Sequence, residues 1–403
     1  MTLVGGLETG LEILSTAIVS LYGFLCLFLL FECLLAFLFR EQQAAPISER
    51  SDPLSFVILM PAHNEADIIE KTLTQLAPEV NSPSQITVVA DNCQDDTAAI
   101  ARSTGVTVLE RQDATRRGKG YALDYGLKVL AETQPVVVVI VDADCRVSPG
   151  TNRNIAQATH DSGQPTQAVY RMEQPPDPSL RDRLSAFAFI VKNRVRAGGL
   201  SRLGVPIMLG GTGMAFPWKA LQSVELASGH IVEDMKLGID LAIAGYIPTL
   251  SLESEVVGIL PDDEAAATSQ RTRWEHGHLQ VLTTYVPKLL GQAVHQKRLD
   301  LFTLAVDLAI PPLALWSLLG IALTAITGIA ALLSIDSLPF QIQLIADIVL
   351  MSAILLAWSV WGREELSFSQ LLAVPSYILW KIPLYLKAVV DPQKSWIRTK
   401  RNT

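Results

Sequence analysis

The chain has 403 residues, room for two or three domains of ordinary size. Hydrophobic residues make up 49% and charged residues only 18%, with a mean hydropathy of +0.31; these values exclude a disordered chain and are too apolar for an ordinary soluble domain. Lys and Arg total 32 against 40 Asp and Glu, a net charge of −8, so no basic excess is available to grip a nucleic-acid backbone. The cysteines Cys26, Cys33, Cys93 and Cys145 form no CxxC pair, which argues against a disulfide framework or a cysteine zinc site.

The first expected element is a membrane anchor. Ile13 to Phe31 is free of charge, and apolar character continues past Glu32 to Phe39. At about 1.5 Å per residue such a helix crosses a hydrocarbon layer of about 30 Å. A signal peptide fits less well, because no Lys or Arg precedes the run and no small-residue cleavage site follows it. The first basic residue is Arg40, so the positive-inside rule places the bulk of the chain in the cytosol.

The middle of the chain alternates short apolar runs with helical periods. Phe56 to Met60, Ile86 to Ala90 and Val136 to Val141 read as strands. Ile69, Leu73 and Leu76, then Thr97 to Ser103, then Leu123, Leu127 and Leu130 read as the helices between them. This βαβα order predicts an α/β domain with a mostly parallel, Rossmann-like sheet covered by helices. In such sheets ligands sit beyond the carboxyl ends of the strands. Those exits are polar: Pro61-Ala62-His63-Asn64-Glu65, then Asp91-Asn92, then Asp142-Ala143-Asp144. Two carboxylates at i and i+2 point to one side and repel each other without a cation. A hard divalent metal, Mg²⁺ or Mn²⁺, is the natural resolution, and it would hold substrate phosphates. No GxxxxGK[ST] loop exists and no GxGxxG follows the first strand, so neither a P-loop nor a dinucleotide site is expected.

The C-terminal part returns to the membrane. Leu308 to Ile335 is uncharged, and Leu338 to Gly362 is interrupted only by Asp347, so spans are expected at about 308–335 and 340–362. Leu366 to Leu386 contains Lys381 and two prolines; an interfacial helix with Lys381 and Lys387 snorkelling is preferred over a third span, because the basic tail belongs in the cytosol. The expected division is 1–50 as anchor and linker, 51–298 as the catalytic domain, and 299–403 as membrane helices and tail. Glu32 and Asp307, at membrane depth, read either as headgroup or pore contacts or as interfacial residues at helix ends.

The ordered motifs resemble glycosyltransferase family 2, in the membrane-anchored branch that includes cellulose, hyaluronan and poly-N-acetylglucosamine synthases and ceramide-glucosyltransferase-like enzymes. The resemblance runs from about Ser55 to Trp274. Pro61, Asn64 and Glu65 are similar to the family's opening Pro-x-x-Asn-Glu, and Asp91 stands where the family reads the uracil and ribose, although Ala90 replaces an acidic neighbour often found there. Gly118-Lys119-Gly120 resembles the Gly-Lys segment near the nucleotide, and Asp142-Ala143-Asp144 the DxD motif. Glu233-Asp234 resembles the pair whose aspartate is the catalytic base, and Gln270-Arg271-Thr272-Arg273-Trp274 is similar to QxxRW.

The resemblance implies a GT-A fold and an inverting, metal-dependent transfer from a UDP-sugar. In it Asp144, assisted by Asp142, holds the metal, Asp234 takes the acceptor proton, and Arg273, with Arg271 as a second candidate, steadies the departing diphosphate. Pro61, Asn64, Glu65, Asp91, Lys119, Asp142, Glu233, Gln270 and Trp274 are the implied substrate contacts. Leu237, Leu241 and Ala244 at helical spacing put Asp234 near a helix start, where a bare charge pair is the plain alternative. His276 and His278 lack an evident third ligand for zinc.

Two acceptors compete, a membrane lipid or short glycan and a growing polysaccharide; few membrane segments are available to line a polymer channel, which favours the former. A membrane-bound nucleotidyltransferase would use paired aspartates and a metal but has no use for QxxRW. Because Ile13 to Phe31 and Leu308 to Ile335 are read as spans, the chain should stay with membranes through high-salt and alkaline washes; intact chain in the soluble fraction would overturn that reading.

Overall fold

The computed structural model describes residues 3–40, 54–227, 229, 232–260, 264–333 and 337–390. The long helix α1 (Leu3–Leu38) leads into strand β1 (Val57–Ala62), helix α2 (Ile69–Leu76), β2 (Ile86–Asp91), α3 (Thr97–Ser103), β3 (Thr107–Arg111), α4 (Lys119–Leu130) and β4 (Val137–Ile140). Next come β5 (Cys145–Val147), α5 (Thr151–Ser162), β6 (Thr166–Glu173) and α6 (Leu180–Ile190), which runs through a π-helical turn, Val191–Arg196, into α7 (Ala197–Arg202). Then follow β7 (Met214–Pro217), α8 (Trp218–Leu221), α9 (Glu233–Ile243), β8 (Thr249–Ile259) and α10 (Glu264–Gln296). The chain closes with α11 (Leu299–Ala309), α12 (Leu313–Leu332), α13 (Leu338–Ala357), α14 (Phe368–Leu371) and α15 (Val374–Val390).

All eight strands form one sheet in the order β3-β2-β1-β4-β7-β6-β8-β5. β1, β2, β3 and β4 run parallel, as do β6 and β8, whereas β7 is antiparallel to both β4 and β6. The expected parallel half is therefore present, and β7 inserts the reversal at the centre. β2 and β4 are buried along their whole length, and β4 is an unbroken apolar run, as a strand covered on both faces requires. The two-residue period of a strand sorts their side chains. Ile58, Met60, Val137 and Val139 face α2 and α5, packing on Ile69, Leu73 and Ile155. Leu59, Val138 and Ile140 face α4 and α9, packing on Leu123, Leu127, Leu237 and Leu241.

Among the described residues, three helices are long and apolar enough to cross a membrane: Gly10–Leu38, Leu313–Leu332 and Leu338–Gly362. On α1, Tyr22, Cys26, Leu29 and Cys33 recur at helical spacing on the buried side, while Ile18, Leu21, Leu27 and Leu34 are exposed. An exposed apolar face on one helix, repeated on α12 and α13 with Ile326, Ile329, Ile345 and Ile348, is a surface suited to lipid.

The first C-terminal span starts later than the uncharged run. Pro311 and Pro312 separate α11 from α12, since a proline lacks the N–H that a continuous helix needs, so the membrane-length helix begins at Leu313 rather than 308. The next begins at Leu338, close to the expected 340. Lys381 does not snorkel: it is buried and pairs with Glu275 of α10, whereas Lys387 is exposed.

Glu32 and Asp307 are neither headgroup nor pore contacts. Both turn inward to Arg196, whose Nε lies 3.1 Å from Glu32 Oε2 and whose Nη2 lies 2.5 Å from Asp307 Oδ1. All three are buried, so one guanidinium ties the anchor helix α1 and helix α11 to the π-helical turn between α6 and α7. Gly199 makes the approach possible, because a Cβ there would lie 2.3 Å from the Glu32 carbonyl oxygen. Arg196→Ala would strand two buried carboxylates, and a loss of about 3–5 kcal/mol is expected; thermal unfolding in detergent, with Glu32→Gln for comparison, reads it.

Candidate active site

The exits of β1 and β2 are tied to each other. Asn64 takes a positive φ of 54°, and its Oδ1 accepts from the Gln94 N–H at 2.7 Å. His63 Nδ1 lies 2.6 Å from the Asp91 carbonyl oxygen, and the Glu65 N–H donates to Thr97 Oγ1 at 2.8 Å. Asn64 thus spends its side chain on the neighbouring loop. It does not line the cavity beyond these strands, while Pro61, His63 and Glu65 do. Asp91, buried at the end of β2, receives Arg111 Nη1 from β3 at 2.5 Å and Asn92 Nδ2 at 3.0 Å. Arg111 also reaches Asp113 and the Arg116 carbonyl, fixing the loop that leads to Gly118.

Lys119 opens α4 and is the hub of the site. Its Nζ lies 2.5 Å from Asp142 Oδ1, 2.6 Å from the Gly211 carbonyl oxygen and 4.0 Å from Glu233 Oε1. Burial opposes its charge, but Asp142 and Glu233 outweigh burial and hold it above the ordinary lysine value. Burial raises the Glu233 carboxyl to about 7, against the pull of Lys119.

Asp142 and Asp144 lie just past β4 as expected. Thr72 Oγ1 donates to the Ala143 carbonyl at 2.7 Å and pins the turn, and the Asp142 N–H donates to Thr212 Oγ1 at 3.1 Å. Ligand atoms of Asp142, Asp144 and Cys145 lie within 4.8 Å of one another. Burial pushes the Cys145 thiol well up, so it stays protonated and donates toward Asp144. The remaining donors are carboxylate oxygens, a set suited to a hard divalent cation.

Glu233 and Asp234 form the first turn of α9. Asp234 Oδ1 accepts from its neighbour's N–H at 2.8 Å, and its Oδ2 faces Gly211, where a Cβ would stand only 3.1 Å away. Gly211 sits at φ +96°, so glycine answers both the backbone and the close approach. Gln167 holds this strip, donating to the Thr212 carbonyl at 2.8 Å and accepting from the Gly210 N–H at 2.9 Å.

Gln270, Arg271, Arg273 and Trp274 lie on α10 and all line the cavity. Arg271 is paired with Asp182 of α6. Burial lowers Arg273, and Glu233 and Asp144 are the first carboxylates opposing that. Trp274 packs on Phe189 with ring centres 5.6 Å apart, and Phe189 meets Tyr170 edge-on at 5.1 Å. His276 Nε2 lies 3.2 Å from the Leu384 carbonyl, a link to α15 and not a zinc ligand arrangement.

One cavity of about 660 Å³ joins these groups. It takes in Pro61, Glu65, Asp91, Lys119, Asp142, Asp144, Glu233, Asp234 and the α10 residues, which leaves Asn64 as the one expected contact outside it. It then continues past Trp274 to Leu313 and Ala314 of α12, Ile354 of α13 and Val374 and Tyr377 of α15. Tyr170, Lys192 and His278 also line it. Sequence reasoning left Tyr170 and Lys192 out because neither sits in a strand-exit motif.

A mostly parallel mixed sheet with carboxylates at its strand ends, carried on membrane helices, is a GT-A type glycosyltransferase fold. Residues 53–277, more than half of the chain, match the profile described as glycosyltransferase like family 2, and the chain belongs to that family. No curated protein sequence matches it. Among solved structures it is similar to the mannosyltransferase PcManGT from Pyrobaculum calidifontis, in complex with GDP-Man and Mn²⁺, with a TM-score of 0.51 at 17% identity over 87% of this chain and 99% of that one. Glucosyl-3-phosphoglycerate synthase from Mycobacterium tuberculosis, in complex with Mg²⁺ and UDP, matches with a TM-score of 0.36 at 23% identity over 51% of this chain and 70% of that one.

Proposed function

We propose that the protein transfers a sugar from a UDP-sugar, with inversion, to a hydroxyl of a membrane lipid at the cytosolic face. The observation that carries this is the single cavity running from the acidic strand ends to apolar side chains of α12, α13 and α15. A soluble acceptor has no need of the apolar arm, and a donor site alone would end at Trp274. A cytosolic active site follows from Arg40 after the first span and the basic C-terminal tail.

Asp144 and Asp142 are the residues that would hold Mg²⁺ or Mn²⁺. When bound, the ion supplies Lewis-acid neutralisation of the donor diphosphate. Asp91 and the β1 exit bind the nucleoside, and Arg273 adds a cation on the diphosphate side. Asp234 accepts the proton of the attacking hydroxyl. The hydroxyl oxygen bonds to the anomeric carbon from the face opposite the diphosphate, the bond to the diphosphate breaks, and its electron pair leaves with UDP. Trp274 offers a flat face to the sugar or headgroup between these groups.

The class is tested by product: purified protein with Mn²⁺ should release UDP from UDP-sugars, whereas pyrophosphate from UTP would point to a nucleotidyltransferase. Asp144→Ala should abolish turnover and Mn²⁺-dependent UDP binding together, read by calorimetry beside initial rates. Asp234→Asn keeps volume and loses the proton acceptor, so turnover should fall by about 10²–10⁴ with UDP affinity nearly unchanged. Equal loss of UDP binding in both variants would make Asp234 a nucleotide or metal ligand instead.

A further inference from the structure

The cavity carries a second cation away from the donor diphosphate. Lys192 lies on the π-helical turn Val191–Arg196 and lines the cavity wall. Among the described residues it forms no ion pair; its Nζ has only Met235 Sδ at 3.9 Å as a polar contact. Burial lowers Lys192 and Arg196 acts with it, while Asp234 is the first carboxylate opposing that, followed by Asp307 and Glu275; an anionic group brought beside the side chain would restore its full charge. Lys192 thus reaches Met235, the neighbour of Asp234, whereas the first carboxylates acting on Arg273 are Glu233 and Asp144. Other cations lining the cavity are spoken for: Arg196 by Glu32 and Asp307, Arg271 by Asp182, and Lys381 by Glu275.

Two further polar atoms on the same wall are unsatisfied. Among the described residues Asn193 Nδ2 and His278 Nε2 have no hydrogen-bond partner, and His278 is only 7% exposed. Burial holds His278 well below the usual histidine range, and the charge of Lys192 acts in the same direction, so the ring is neutral. Its other nitrogen is engaged by the Leu308 backbone, which leaves Nε2 as an acceptor. Buried polar groups left without partners cost free energy unless a ligand supplies them. This wall offers an ammonium, an amide donor and one acceptor, next to the apolar arm at Pro312 and Leu313.

Resting on the lipid reading above, we infer that Lys192, Asn193 and His278 form an acceptor-headgroup subsite for a phosphate-ester lipid whose headgroup bears two free hydroxyls. The ammonium and amide take the phosphate oxygens, the imidazole accepts from a headgroup hydroxyl, and the chains lie along α12 and α15. A second headgroup hydroxyl is then presented to Asp234. Lys192 is a specificity residue for the acceptor.

The test is binding, so that the unknown donor sugar does not enter. Full-length protein in detergent, loaded with Mn²⁺ and UDP, is titrated with dioctanoyl phosphatidylglycerol and with dioctanoyl monogalactosylglycerol, which shares the chains and presents headgroup hydroxyls but lacks the phosphate. The phosphate lipid should bind about tenfold or more tightly, as one charge-assisted contact predicts. Lys192→Gln should bring the ratio of the two affinities close to one, Asn193→Ala should reduce it, and Lys192→Arg should restore it. Equal binding of both lipids, or an unchanged ratio in Lys192→Gln, overturns the subsite and leaves the lipid acceptor standing. Binding of neither lipid overturns both. Inorganic phosphate binding as tightly as the phosphate lipid would assign Lys192 to a free anion and overturn the headgroup assignment.

Discussion

A single half-buried ammonium holds the acidic site together. Asp142, Glu233 and Asp234 arrive from two distant parts of the chain, and like charges brought this close in a water-poor cavity repel. Lys119 answers that repulsion from the first turn of α4, and its bond to the Gly211 carbonyl ties the glycine strip to the same point. Other features of the site follow from that convergence. α4 must sit close on the sheet, and it does so through Gly126, where a Cβ would come within 2.6 Å of Leu59. Gly211 must let the strip pass beneath Asp234, and its φ of +96° allows this.

The domain is joined to its membrane helices by charge as well as by apolar packing. Arg196 reaches α1 and α11 from the π-helical turn, and Lys381 of α15 reaches Glu275, one residue beyond Trp274. Both links are buried, where removal of one partner costs far more than at a surface. Their positions matter for function. The same π-helical turn carries Lys192 and Asn193 into the cavity, and α10 carries Arg273 and Trp274. These cavity-lining side chains are thus on segments that buried ion pairs tie to the apolar helices.

The cavity itself changes character along its length. Carboxylates and cations crowd the strand ends, the Tyr170–Phe189–Trp274 ring series occupies the middle, and aliphatic side chains close the far end. The rings meet edge-on and tilted, each fixing the next, so Trp274 keeps a defined plane.

Much of this was legible in the residues themselves. Val137 to Ile140 is uniformly apolar, so it had to be a strand buried on both faces, and the carboxylates of Asp142 and Asp144 then had to lie at its exit. The uncharged runs of α1, α12 and α13 announce their membrane length in the same direct way. These are local properties, set by side-chain period and burial. What only the tertiary structure decided are the pairings between residues far apart in the chain. Nothing near Glu32 or Asp307 in sequence points to Arg196, and nothing near Lys381 points to Glu275. Asn64 reads as a ligand residue in its motif, yet its amide is spent on Gln94 once two loops meet. The proline break before α12 was visible, but an uncharged run says nothing of helix continuity. Periodicity fixes which face of an element is buried; which charge waits on the other side depends on how the elements are folded together.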